Sequence, residues 1–146
     1  MKEQKHDEHL LEQEFTVKGG DFILAGEVSS KIKTILKEIG IRQEVIIRTA
    51  IATYEAEMNV VCHADRGKFH LTITPDRLSI VVEDEGQGIE NIDLAMKAGF
   101  STASAEIREM GFGAGMGLPN IKKNVDDLKI TSVVGGGTKM EMVILT

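Results

Sequence analysis

Hydrophobic positions along this chain change period several times, and each change marks an element. EFTVKG, residues 14–19, alternates briefly and predicts a strand. From Asp21 the apolar residues Ile23, Leu24, Val28, Ile32, Ile35, Leu36 and Ile39 recur at three and four, a helical period that Gly40 ends as a C-cap. A second helix is predicted from about Arg42 to Ala64, with Ile46, Ile47, Ala50, Ile51, Tyr54, Met58, Val61 and Cys62 as its apolar side. KFHLTIT (68–74), Pro75-Asp76 and RLSIVVED (77–84) read as a β-hairpin around a two-residue turn. Residues 92–98 suit a short helix and 117–128 a longer one, and LKITSVVGGGTKMEMVILT closes the chain as strand, glycine turn, strand. Between them, residues 99–114 are rich in Gly, Ser, Thr and Ala without any period, a loop long enough to carry function.

The order is β, α, α, β-β, short α, loop, α, β-β. Strands that come in hairpins rather than alternating with helices predict an α+β fold. It is a two-layer sandwich with helices on one face of the sheet, not a doubly wound parallel sheet. Residues 1–13, MKEQKHDEHLLEQ, are charged and aperiodic and are read as a mobile tail before a single domain over 14–146. His6 and His9 in that tail have a spacing a metal could use, but no further His or Cys joins them, and a solvated tail is the better reading.

Composition narrows the function classes. The 146 residues suit one domain, and with no Trp, one Tyr and five Phe the core has to be aliphatic. A net charge of −6, with no run of Lys or Arg that could track phosphates, argues against nucleic acid as a partner. The N-terminus lacks the apolar core of a secretory signal, and no apolar run approaches the ~20 residues of a membrane span. The single Cys62 forms no internal disulfide, and the chain is expected to be soluble and cytoplasmic, with no membrane partner.

Candidate chemistry lies in three glycine clusters and one helix. Gly86 and Gly88 follow the β-type run VVEDE; Gly111, Gly113, Gly115 and Gly117 precede a helix; Gly135, Gly136 and Gly137 form a turn. A glycine loop at a helix N-terminus offers bare N–H groups and a positive dipole end to a phosphate, although a flexible linker has the same composition. The P-loop pattern does not occur, GxGxxG fails where Met116 or Leu118 stands in place of its last glycine, and the signatures of eukaryotic-type protein kinases are missing. In the second helix, Glu55 and Asn59 are four apart and share a face. On its own that pair is most often a wet helix face. It also suits a base beside a neutral oxygen ligand for Mg²⁺, which keeps most of its shell as water and substrate phosphate.

Taken in order, Glu55-x-x-x-Asn59 with His63, Asp84-x-Gly86-x-Gly88-Ile89, Gly113-x-Gly115-x-Gly117-Leu118 and Gly137-Thr138 resemble the boxes of the Bergerat-fold, or GHKL, ATPases. The single short domain looks like the bacterial anti-sigma-factor serine/threonine kinases, and GFGAGMGLPNIKKNVDDLKI is most similar to the switch kinase of the stressosome. The resemblance covers residues 14–146 and implies a Bergerat ATP-binding fold, a mixed and mostly antiparallel sheet carrying ATP and Mg²⁺.

It also implies a role for each matching residue. Asn59 would bind Mg²⁺, and Glu55 would accept the proton of the substrate hydroxyl. Asp84 would take a hydrogen bond from the adenine amino group, supported by Thr138, while Gly86 and Gly88, with Ile89 after them, would let the backbone lie against base and ribose. Gly113, Gly115 and Gly117, with Met116 and Leu118 between and after them, would face the phosphates. Ser101, Thr102 and Arg108 would be contacts in a lid over residues 99–114. Val60 departs from the smaller Ala of many relatives and could crowd the site. Cys62 is read as a small buried hydrophobe and His63 as structural.

The function implied is an ATP-dependent serine/threonine protein kinase whose partner is a STAS-domain antagonist or scaffold protein. The alternatives are an anti-sigma factor that also sequesters a sigma factor, and a nucleotide-dependent binding module without transfer. A homodimer is left open.

Overall fold

A computed structural model describes residues 11–97 and 117–146. Five strands, β1 (Leu11–Lys18), β2 (Ala64–Thr74), β3 (Arg77–Gly86), β4 (Asp127–Val133) and β5 (Gly137–Leu145), form one sheet in the order β1-β2-β3-β5-β4. Every pairing is antiparallel, which places the sheet at the antiparallel end of the expected mixed arrangement. Among the described residues the helices are α1 (Glu27–Glu38), α2 (Gln43–His63), α3 (Ile92–Ala95) and α4 (Gly117–Asn124).

Strand alternation decides where the core lies. One register row crosses the whole sheet as Phe15, Phe69, Val82, Met140 and Ile130, and the next row carries Leu71, Ile80, Met142 and Leu128. These side chains share one face because the side-chain period of a strand is two. The helices cover that face, with α2 packed on β2 and also touching β1, β3 and β5, and with α1 and α4 on either side of it. The two-layer α+β sandwich expected from the order of elements is the fold observed.

Three expectations change. First, the strand β1 starts at Leu11, so residues 11–13 belong to the sheet rather than to a tail. Second, α1 starts at Glu27 and not near Asp21, because Gly26 turns left-handed at φ +96° and breaks the helical path. Ile23 and Leu24, counted as part of the helical stripe, lie in the preceding turn, with Ile23 93% exposed. The other end behaves as predicted: Gly40 at φ +81° donates to Lys37 O at 3.1 Å and Ile41 N–H donates to Leu36 O at 3.0 Å, the paired bonds of a Schellman cap.

Third, the buried face of α2 is only partly the predicted one: Ile46, Met58 and Val61 are buried as expected, but the face is wider and shifted. Ile47, Ile51 and Tyr54 are exposed, while Val45, Thr49, Ala52, Thr53, Ala56, Glu57 and Val60 are buried. Small residues let the helix lie close on the sheet, and the Thr53 hydroxyl bonds Thr49 O within the helix at 2.7 Å, so a polar residue is buried with its donor satisfied. Val60 points at Gly67 of β2, where a Cβ would come within 2.7 Å of Val60 Cγ2. The larger side chain is therefore accommodated by a glycine across the core and does not crowd the helix face that bears Asn59.

The helix over 117–128 is shorter than predicted, because Leu128 already belongs to β4, whereas Pro119 sits in its first turn, where its missing N–H costs nothing.

Candidate nucleotide-binding site

The candidate residues fall into two groups, one at the ends of the adjacent strands β3 and β5 and one on the helices. The first is the loop wall. Asp84 stands near the end of β3, and its Oδ1 accepts the Thr138 N–H at 3.0 Å. Burial holds the Asp84 carboxyl above the usual carboxylate range, partly offset by N–H groups of Thr138 and Gly86 and by the nearby His63. Beside it, the Ser132 hydroxyl accepts the Ile89 N–H at 2.6 Å and lies 2.8 Å from Thr138 Oγ1 and 3.2 Å from Gly137 O. One proton and two lone pairs satisfy all three contacts if Ser132 donates to Gly137 O and accepts the other two. Gly135 N–H donates to Gln87 O at 2.8 Å, closing the β4–β5 turn onto the segment after β3.

Glycine is required in this wall by close approach of the protein's own backbone. A Cβ on Gly88 would collide with Val133 O, one on Gly137 with Asp84 O, and one on Gly86 would lie 2.8 Å from His63 O. Gly88 and Gly137 also have positive φ, +80° and +87°. The expectation that Gly86 and Gly88 are small to admit base and ribose therefore needs a different first cause: they let the end of β3 pack between the end of α2 and the β4–β5 turn.

The second wall is helical. Glu55 and Asn59 share a face of α2, both half-buried, and Asn59 makes no side-chain hydrogen bond among the described residues. Glu55 Oε2 accepts a hydrogen bond from Asn120 Nδ2 of α4 at 3.1 Å, and Gly117 opens α4 where a Cβ would sit 3.6 Å from Glu55 Oε1. Leu118 is buried beneath this corner. Glu57, between Glu55 and Asn59, points to the other side. It is 1% exposed and its carboxylate accepts the N–H groups of Gly26 (3.0 Å), Val28 (3.1 Å) and Ser29 (3.0 Å), capping α1 from another helix.

The arrangement brings Glu55, Asn59 and Gly117 together on the helical wall, and Asp84, Gly86, Gly88, Ile89 and Thr138 on the loop wall. Ser101, Thr102, Arg108, Gly113, Gly115 and Met116 lie outside the described residues. His63 sits near Asp84, and burial pushes its imidazole below the usual range against the pull of that carboxylate. Cys62 is half-buried rather than fully buried, and burial pushes its thiol up. Sequence reasoning missed Ser132, Asn120 and the role of Glu57. Ser132 and Asn120 carried no signal beyond being polar residues in a strand and a helix, whereas Glu57 in an otherwise small and apolar helix stretch was a clue to a buried cap.

Residues 24–144 match the family described as histidine kinase-like ATPase domain. The chain belongs to that family. Among curated proteins, the serine/threonine-protein kinase RsbT of Bacillus subtilis is 31% identical over 76% of this chain and 80% of its own length. An anti-sigma F factor of Caldanaerobacter subterraneus is 35% identical over 66% of both chains. The SiaB–SiaC complex of Pseudomonas aeruginosa superimposes with a TM-score of 0.64 at 14% identity, over 99% of this chain and 95% of that one. The RsbU and RsbW domains of Rv1364c from Mycobacterium tuberculosis match with a TM-score of 0.56 at 19% identity, over 91% of this chain and 32% of that one. At such identities the two structures establish the shared fold.

Membership of a histidine kinase-like ATPase family implies ATP as the nucleotide, and the loop wall fits it: a half-buried carboxylate, held at one oxygen by a backbone N–H, is an acceptor for an exocyclic amino group. The helical wall fits Mg²⁺ as well. Among the described residues no three His, Cys, Asp or Glu converge into a cage, and a single neutral Asn oxygen suits an ion that keeps water and phosphate ligands. Among the described residues no helix is long and apolar enough to cross a membrane.

Proposed function

We propose that this chain is an ATP-dependent serine/threonine protein kinase that phosphorylates a STAS-domain partner in a partner-switching pathway. The observation that supports the reading most directly is the Glu55 carboxylate, set beside the first residue of α4 and one helical turn from the unengaged amide of Asn59. The kinship with the Bacillus subtilis serine/threonine-protein kinase agrees with it.

In this reading Asp84, buttressed by Thr138 and Ser132, selects adenine, and Asn59 would hold Mg²⁺, which would supply charge neutralisation to the phosphates. Glu55 accepts the proton of the acceptor hydroxyl. As that oxygen bonds to the γ-phosphorus, the bond to the β,γ-bridging oxygen breaks and ADP leaves. Phosphorylation adds nearly two negative charges to the partner's surface and so changes what that surface can bind.

A second reading is favoured by the kinship with anti-sigma F factors: the same site on a protein that also sequesters a sigma factor. A pull-down from an extract of the source cells, scored for STAS protein against sigma factor, separates the two. Labelled ATP with the recovered partner then tests transfer. Asn59→Ala should abolish Mg-ATP binding or transfer, and an unchanged rate of labelling would remove the proposed site.

A further inference from the structure

We propose that Asn120 is a positioning residue for the reaction, pinning one oxygen of Glu55 so that the other faces the acceptor hydroxyl; this rests on Glu55 acting as the base. Glu55 Oε2 is taken by Asn120 Nδ2 at 3.1 Å, and Oε1 is the oxygen turned toward Gly117 at the start of α4. A carboxylate free to rotate presents either oxygen in many orientations. One held by a donor on a neighbouring helix presents a single oxygen along a single direction, which is what proton transfer in the transition state needs. The amide donor carries no acidic proton, so the partner it gives Glu55 does not compete for the base's role.

The backbone that carries the donor is itself held. Asn124, one turn along α4, donates from Nδ2 to Asn120 O at 2.8 Å. Arg48 of α2 donates from Nε to Asn124 O at 3.2 Å and from Nη2 to Asp126 at 3.2 Å. Arg48 lies two turns before Glu55, so α2 and α4 are tied at two points and the distance between Glu55 and Asn120 is set by both. Asn120 also stands three residues from Gly117, which makes the direction of Glu55 depend on the placement of the helix start where the phosphates are expected.

Four variants test this: Asn120→Asp, which keeps the shape and replaces the donor by an acceptor; Asn120→Ala; Asn120→Gln; and Glu55→Gln as the control. The probe is Mg-ATP with water as acceptor. Phosphate release, calorimetric ATP affinity and melting temperature are measured on the full chain. The turnover number should fall on the order of 30-fold in Asn120→Asp and about 10-fold in Asn120→Ala, recover partly in Asn120→Gln, and leave ATP affinity within about 2-fold throughout. In ¹H–¹⁵N spectra the Asn120 side-chain amide, assigned by its loss in Asn120→Asp, should move in Glu55→Gln.

Loss of turnover in Glu55→Gln with wild-type turnover in Asn120→Asp overturns the inference alone, as does an unmoved Asn120 amide. So does activity that merely follows melting temperature. Unchanged turnover in Glu55→Gln overturns Glu55 as the base and the inference with it. Where the wild type releases no phosphate to water, the position of the Asn120 amide in Glu55→Gln decides the inference.

Discussion

The two walls of the site are built on different principles. On the loop wall, the end of β3, the segment after it and the β4–β5 turn are joined by backbone N–H groups and by glycines pressed against carbonyls. On the helical wall, whole helices are rigid units, and their mutual placement depends on single side chains: Glu57 between α2 and α1, Asn120 and Arg48 between α2 and α4. Of the bonds that join the loop-wall segments, only Gly135 N–H to Gln87 O is main-chain at both ends, while the Ile89 and Thr138 N–H groups need the side chains of Ser132 and Asp84. The loop wall is therefore held by one bond that substitutions leave in place and by glycines fitted against carbonyls. The helical wall, where the proposed base stands, is fixed by a few replaceable groups. There the direction of the Glu55 carboxylate rests on the single contact with Asn120.

The largest effect expected from breaking that difference is at Glu57. Replacing it by Ala leaves three buried N–H groups without their acceptor and removes the negative charge at the start of α1. The loss should be about 2–4 kcal/mol, read as a lower midpoint in urea. Gln, which keeps one acceptor oxygen but brings a donor against N–H groups, should recover less than half of it. A change under about 1 kcal/mol for Ala would show that the helices are placed by packing alone.

The loop wall is expected to yield to an added Cβ. Gly135 and Gly137 both have positive φ, +80° and +87°, yet a Cβ on Gly135 meets nothing within 4 Å while one on Gly137 collides with Asp84 O. Gly135→Ala should therefore cost only the backbone conformation, about 1 kcal/mol. Gly137→Ala should cost that plus displacement of Asp84, about 2–3 kcal/mol, and weaken ATP binding as well. Equal effects at the two glycines, measured by denaturation and calorimetry, would mean the turn moves freely away from β3.

Much of this was legible in the sequence because the periods were clean. The hairpin around Pro75-Asp76, the strand–glycine–strand ending and the limits of α2 were all read within a few residues. That Glu55 and Asn59 share a face followed from helical spacing, whereas Asp84 was singled out by the resemblance to the Bergerat-fold ATPases. What failed was rotation and reach. The helix α2 is apolar around much of its circumference, so Ile47, Ile51 and Tyr54 weighed as much as Val45, Ala52 and Ala56. Only close approach to a sheet whose Gly67 makes room for Val60 selects the second set. The left-handed Gly26 that shortens α1 is a backbone state that composition does not display. Asn120 and Ser132 become meaningful only when chain segments tens of residues apart are side by side.

The smallest expected effect concerns pH and sharpens the contrast between the walls. Burial raises the Asp84 carboxyl, so on acidification it takes up its proton before an exposed Asp would. In the proposed reading the amino group of the base donates more strongly to the ionised Asp84 than to its acid form, so the bound nucleotide favours the deprotonated form and affinity should fall as pH falls through the raised value. As pH falls below neutral the ATP dissociation constant should rise several-fold in the wild type, beginning at higher pH than an exposed Asp would give. Asp84→Asn should bind more weakly at neutral pH and lose the dependence. His63 adds a second handle: its positive charge when protonated favours the Asp84 carboxylate, although burial keeps its own proton uptake below the usual imidazole range. With His63→Gln that help is gone, and the loss of affinity should begin at higher pH. An Asp84→Asn chain with the wild-type pH profile would move the dependence off the loop wall and onto the helical wall, where Glu55 is the carboxylate at hand.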